Sequence, residues 1–108
     1  MNWIGLKSAE QLELIKTASF EKPQIIFKHS TRCSVSADAY DEMDKADLTA
    51  WYLDLLANRA LSNQIASDFG VMHQSPQIII IKDGKAAFNE SHWRIKAENV
   101  KATLETFI

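Results

Sequence analysis

Four consecutive isoleucines, Ile78 to Ile81, stand between Gln77 and Lys82, and Asp83-Gly84 follows at once. β-Branched residues in a row suit a pleated strand, because two heavy atoms on Cβ restrict χ1. The run does not alternate with polar residues, so both of its faces must be covered by other parts of the chain. It is far too short for a membrane span, which needs roughly 18 consecutive apolar residues. Asp-Gly is a strong signal for a two-residue hairpin, and Lys85 to Asn89 is the expected antiparallel partner. A strand covered on both faces requires a sheet with a layer on each side.

The rest of the chain supplies those layers. Trp3 and Ile4 form a short opening strand. Ser8-Ala9-Glu10-Gln11 has the form of a capping box, and Leu12, Ile15 and Ala18 share one helical face, which predicts a helix over residues 8–19. Pro23 lies beyond it, where a helix cannot continue. Gln24 to Lys28 reads as a buried strand. Ala37, Tyr40 and Met43 at helical spacing predict a helix over 34–45, beginning at or next to Cys33. Thr49 to Asp54 reads as a strand. Asn58 is placed to cap a helix carrying Leu61, Ile65 and Phe69, with Gly70 just past its end. Val100, Leu104 and Ile108 mark a last helix over about 96–107. The order is (β)αβαβαββα, one α/β domain spanning residues 1–108, with a small mixed central sheet and helices on both faces. The thioredoxin fold has this arrangement.

With 108 residues, a single domain of this size buries on the order of 65% of its unfolded surface. No disulfide or structural metal is needed to hold it. One cysteine excludes an internal disulfide within the chain. Twelve Lys and Arg against fourteen Asp and Glu argue against a broad nucleic-acid or polybasic membrane surface. The first residues lack a basic segment followed by an apolar one, so a cytoplasmic protein with no membrane partner is expected.

Cys33 follows a strand and starts a helix. In open α/β sheets, sites form beyond the carboxyl ends of strands. A helix N-terminus presents unpaired N–H groups and partial positive charge, which stabilise a thiolate. Lys28, His29 and Arg32 add positive potential. Thr31 and Ser34 flank the sulfur with hydroxyls, and Ser36, three residues on, is expected to reach back to it. The flanks His29-Ser30-Thr31-Arg32 and Ser34 are polar, unlike the surroundings of a buried structural cysteine. Cys33-Ser34-Val35-Ser36 is a CxxC pattern with serine in the second place.

Ser75-Pro76 enters the isoleucine strand 43 residues after Cys33. A proline there removes a ladder donor. Two readings stand: an ordinary trans proline at a strand's first residue, or the cis bond of thioredoxin-like proteins, which brings this loop against the cysteine.

The segment from Phe27 through Lys28-His29-Ser30-Thr31-Arg32-Cys33, with Ser36, resembles the active-site segment of the bacilliredoxin C (YtxJ) family. Asn58-Arg59, Ser62-Asn63, Gly70-Val71, His73, Ser75-Pro76-Gln77, Asp83-Gly84-Lys85 and Ser91-His92 resemble its later blocks, in order and without large insertions. One departure is Ser34, where that family usually carries proline. The resemblance implies a thioredoxin fold and a monothiol redox role, with Cys33 as the reactive cysteine and Pro76 as the cis-proline. It also implies bacillithiolated client proteins as partners, bacillithiol as cosubstrate, and a bacillithiol disulfide reductase for recycling.

A single reactive cysteine attacks the small-thiol half of a mixed disulfide and retains it, releasing the client as a thiol. No tightly bound cofactor is suggested, since the chain has no P-loop, GxGxxG, HExxH or Cys/His metal cluster. Bacillithiol joins cysteine, glucosamine and malate, so its pocket is expected to offer cations near the sulfur. Lys28, His29, Arg32, Arg59 and His73 are the candidates. Two alternatives share the residues: a glutathione-dependent monothiol glutaredoxin-like protein, and a non-catalytic thioredoxin-fold binding module. The acids Asp38, Asp41, Glu42 and Asp44 read as a solvated helix face.

Overall fold

The computed structural model describes residues 1–107. Strand β1 (Asn2–Gly5) opens the chain, and helix α1 (Ala9–Ala18) follows. Ser8 caps α1 by accepting the Gln11 N–H at 3.2 Å. The Gln11 side chain reaches one residue further back than a capping box requires. It accepts from the Lys7 N–H at 2.6 Å and donates to the Gly5 carbonyl at 3.0 Å, so the cap also fastens α1 to β1.

Then come β2 (Gln24–His29), α2 (Ser34–Asp44), β3 (Thr49–Asp54), α3 (Arg59–Phe69), β4 (Gln77–Lys82), β5 (Lys85–Ser91) and α4 (Ala97–Glu105). The five strands lie in the order β1-β3-β2-β4-β5. β1, β3 and β2 are mutually parallel, β4 runs antiparallel to them, and β5, antiparallel to β4, runs in their direction again. Asp83 and Gly84 turn the β4–β5 hairpin with φ of 54° and 74°, the left-handed pair such a turn demands.

All four isoleucines of β4 are fully buried. Ile79 and Ile81 face a core built from Leu12 and Ile15 of α1 and Leu61 and Ile65 of α3. Ile78 and Ile80 face the opposite core, with Ala39 and Met43 of α2 and Val100 of α4. Each buried isoleucine stabilises the fold by about 1.5–3 kcal/mol, so this strand joins the two cores.

The expected elements are found, with differences at the C-terminal end. β5 runs on to Ser91, past a register shift between Ile80 and Ile81. A 3-10 turn, His92–Arg94, follows it, and α4 is shorter than the helix expected over 96–107. Ile108, expected on that helix's apolar face, lies outside the described residues.

Candidate active site

β2 delivers the chain to its carboxyl end, and residues 30–33 turn it into α2. Cys33 occupies the N-cap, in an extended conformation with φ −115° and ψ 123°. Its carbonyl accepts the Ala37 N–H at 3.1 Å, and its own N–H donates to the Ser30 carbonyl at 3.2 Å. The N–H groups of the first helical turn therefore lie beside the cysteine without intrahelical partners, at the positive end of the helix. Cys33 is a free, half-buried thiol.

Ser36 does not serve the sulfur as expected. It is fully buried, and its hydroxyl accepts the Ser30 N–H at 3.0 Å while lying 2.9 Å from His29 Nδ1. Burial holds the His29 imidazole below its ordinary pKa, against smaller upward pulls from hydrogen bonding at Ser36 and from Asp54. The Ser36 hydroxyl and Nδ1 share one hydrogen bond, whose direction follows the ring tautomer. Ser36 thus closes the turn beneath Cys33 rather than bonding to the thiol. His29 lies in a strand, packed on Phe27, Tyr40 and Tyr52 with ring centroids 5.5–5.7 Å away. A shallow cavity of about 260 Å³ opens between His29, Trp3, Tyr40 and Tyr52.

Lys28 points to the other face of the sheet and is also fully buried. Its Nζ donates to the Ser62 carbonyl at 3.2 Å and to His73 Nδ1 at 3.4 Å. Desolvation lowers the Lys28 pKa to about 8. His73 is held below its usual value by burial first, then by the charges of Lys28 and Arg59. The expectation that Lys28 lines a small-thiol pocket is therefore revised, because its ammonium is enclosed by protein; His29 is largely buried and faces only the shallow cavity beside Tyr40 and Tyr52. The cations left at the surface are Arg32, beside Cys33, and Arg59, the first residue of α3. Thr31 and Ser34 are exposed on either side of Arg32 and Cys33 in sequence, and His73 is exposed.

The Ser75–Pro76 bond is cis. Pro76 precedes Gln77, which pairs with Lys28 across β2 and β4, so this loop lies at the sheet end that carries Cys33. The Pro76 carbonyl accepts the His92 N–H at 3.0 Å. The Ser75 hydroxyl is buried with no protein partner, as is Gln77 Oε1. Sequence reading missed His92 here. It stands at φ 54°, a left-handed conformation that nothing short of a glycine would have signalled, and its backbone pins the proline loop to the end of β5. Ser62 and Gln77, which sequence reading named only through the resemblance and gave no role, are buried as well.

Among the described residues, no cluster of His, Cys, Asp or Glu is arranged to hold a metal. A larger cavity of about 680 Å³ lies at the opposite end of the sheet, around Pro23, Ile25, Leu48 and Leu104, away from the cysteine.

This geometry matches known proteins. The family model of the monothiol bacilliredoxin BrxC matches residues 4–100. A solved structure described as a candidate oxidoreductase with a thioredoxin fold is 33% identical, with 95% of this chain and 93% of that chain covered and a TM-score of 0.85. Thioredoxin f from spinach chloroplast in its short form is similar at 14% identity, covering 97% and 92%, with a TM-score of 0.72. Reduced thioredoxin pre-protein from Schistosoma mansoni is 16% identical, covers 100% of both chains and has a TM-score of 0.70. The last two show the fold alone, and the expected thioredoxin fold is the one observed.

Proposed function

The chain belongs to the monothiol bacilliredoxin family, and from that membership we propose that it removes bacillithiol from mixed disulfides on other proteins through Cys33. It is a thioredoxin-fold redox protein with one cysteine. The observation that carries the monothiol chemistry is at position 36. A resolving thiol would stand there, one helical turn from Cys33, and a buried serine stands instead, bonded to Ser30 and His29.

Without a resolving thiol, the direction of attack decides the outcome. If Cys33 attacked the client's sulfur, it would be left bound to the client with no internal means of release. If it attacks the bacillithiol sulfur, a Cys33–bacillithiol disulfide forms, the old disulfide breaks, and the client leaves as a thiolate that takes up a proton. A second bacillithiol thiolate then attacks that sulfur and restores Cys33. Bacillithiol disulfide leaves, and a bacillithiol disulfide reductase supplies the electrons that close the cycle. Bacillithiol is cosubstrate here, and no tightly bound cofactor enters the scheme. Such a cycle needs a reducing compartment, and a cytoplasmic location fits that need. Among the described residues, no helix is long and apolar enough to cross a membrane.

Arg32 and Arg59 support the choice of small thiol. Bacillithiol's malate carries two carboxylates, and a guanidinium grips a carboxylate in a fork. A charge-assisted pair of that kind is worth about 1.5–3 kcal/mol, or roughly ten- to a hundredfold in discrimination. The test compares one protein carrying either bacillithiol or glutathione. Wild type should release bacillithiol at least tenfold faster, Arg32→Ala should narrow the gap, and Cys33→Ser should release neither. Equal rates for the two thiols would reassign the cosubstrate and leave the monothiol chemistry in place.

A further inference from the structure

Lys28 shares with Ile26 the face of β2 that looks toward α1 and α3, and it is 0% exposed. No carboxylate pairs with it among the described residues. Its partners are a backbone carbonyl and an imidazole nitrogen. Removing an ammonium from water without a counter-charge is costly, and an apolar side chain of the same length would be accommodated more cheaply. The partners show what the charge accomplishes. Ser62 belongs to α3, and His73 belongs to the segment that links α3 to β4. Gln77, directly across from Lys28, donates Nε2 to the Met72 carbonyl at 3.1 Å. The segment ending in Ser75–Pro76 is thus gripped at Met72 from β4 and at His73 from β2, the strand that leads into Cys33.

We propose that Lys28 is a positioning residue for thiol exchange: by holding His73 it fixes the Val71–Pro76 segment relative to the strand that carries Cys33, so that an incoming disulfide meets the sulfur and the proline loop together. This rests on the thiol-exchange reading of Cys33 but not on which small thiol is used.

The test compares wild type with Lys28→Met, using two probes of the same sulfur. The first is exchange with a protein mixed disulfide of 2-mercaptoethanol, which needs the client docked against the loop. The second is alkylation by iodoacetamide, which needs only the thiolate. Lys28→Met should lower kcat/KM for exchange about tenfold, the loss expected when a hydrogen bond to a charged group is removed. It should leave the alkylation rate within about twofold of wild type. The His73 ring resonances should titrate at higher pH in the variant, because the neighbouring positive charge is gone. His73→Leu, a change at a partly exposed side chain, should reproduce the exchange defect, and the double variant should add no further loss. Exchange at the wild-type rate in either single variant would overturn the proposal. So would a parallel fall in exchange and alkylation, because Lys28 would then act on the sulfur and not through the loop. Because the probe disulfide carries no bacillithiol, failure here is distinguishable from failure of the bacillithiol assignment.

Discussion

Ser36 shows how a side chain at the right spacing can still serve something else. Three residues after Cys33, it lies within a helical turn of the sulfur, and spacing alone sends its hydroxyl there. The fold instead brings the end of β2 beneath the turn, and the hydroxyl is used up by Ser30 and His29. That partner comes from tertiary packing, which helical periodicity does not encode. Cys33 and Pro76 were legible because each breaks a local rule, a lone thiol among polar residues and a proline at the mouth of a buried strand. Ser36→Ala leaves the Ser30 N–H and His29 Nδ1 without their partner. It should destabilise the protein by about 1–3 kcal/mol, read from the midpoint of urea denaturation. An unchanged midpoint would mean water replaces the hydroxyl at no cost. The neighbouring His29 predicts a pH dependence. Its folded pKa lies below the ordinary value of 6.5, so near and below that pH the unfolded chain binds the proton more readily. Stability should therefore fall as pH drops through 6.5, and His29→Phe should flatten that slope.

Among the elements, strands and helices were readable wherever period, caps and turn residues agreed. Gly70 ends α3 at φ 63°, as its position after Phe69 predicts, and a Cβ there would meet nothing within 4 Å. Gly70→Ala should therefore cost only the left-handed penalty of about 1–2 kcal/mol, visible as a lower urea midpoint with unchanged slope. A larger loss would point to a contact the open space does not provide. The turn at His92–Arg94 was not readable, because a histidine takes the left-handed position and its reward is a bond to Pro76, 16 residues away in sequence. Lys28 was misplaced for a related reason: a lysine at a strand's end reads as a cation open to a ligand, and only the packing of α3 shows that it is enclosed. Its burial makes a second pH prediction. The folded pKa of about 8 lies below the 10.5 of a free side chain, so between those values the unfolded chain holds the proton more tightly. This contribution to stability should therefore rise with pH across that window, by at most about 1.4 kcal/mol per pH unit. Lys28→Met should be the more stable protein at pH 7, and its advantage should shrink by pH 10. An advantage constant with pH would show that Lys28 is not desolvated in the folded state.

Taken together, the molecule is two cores divided by one sheet, with its chemistry gathered at one end. Ile79→Ala would open a void where α1 and α3 meet the sheet and should cost about 2–5 kcal/mol, measured by chemical denaturation. Cys33, the proline loop and Arg59 stand at the end where β2 and β3 finish and β4 begins, where side chains can converge without interrupting the ladder. That placement followed from strand order and needed no knowledge of any ligand. Which side chains the packing leaves at that surface, by contrast, was not legible, and there Lys28 proved to be inside. The account turns on which sulfur Cys33 attacks, and intact-mass spectrometry of the first turnover reads that directly. The protein, with Cys33 reduced, is mixed with a stoichiometric bacillithiolated client and quenched with acid. The account predicts that this protein gains the mass of one bacillithiol, less two hydrogens, while the client appears as free thiol. A covalent adduct between Cys33 and the client, or a client still carrying its bacillithiol, would contradict it.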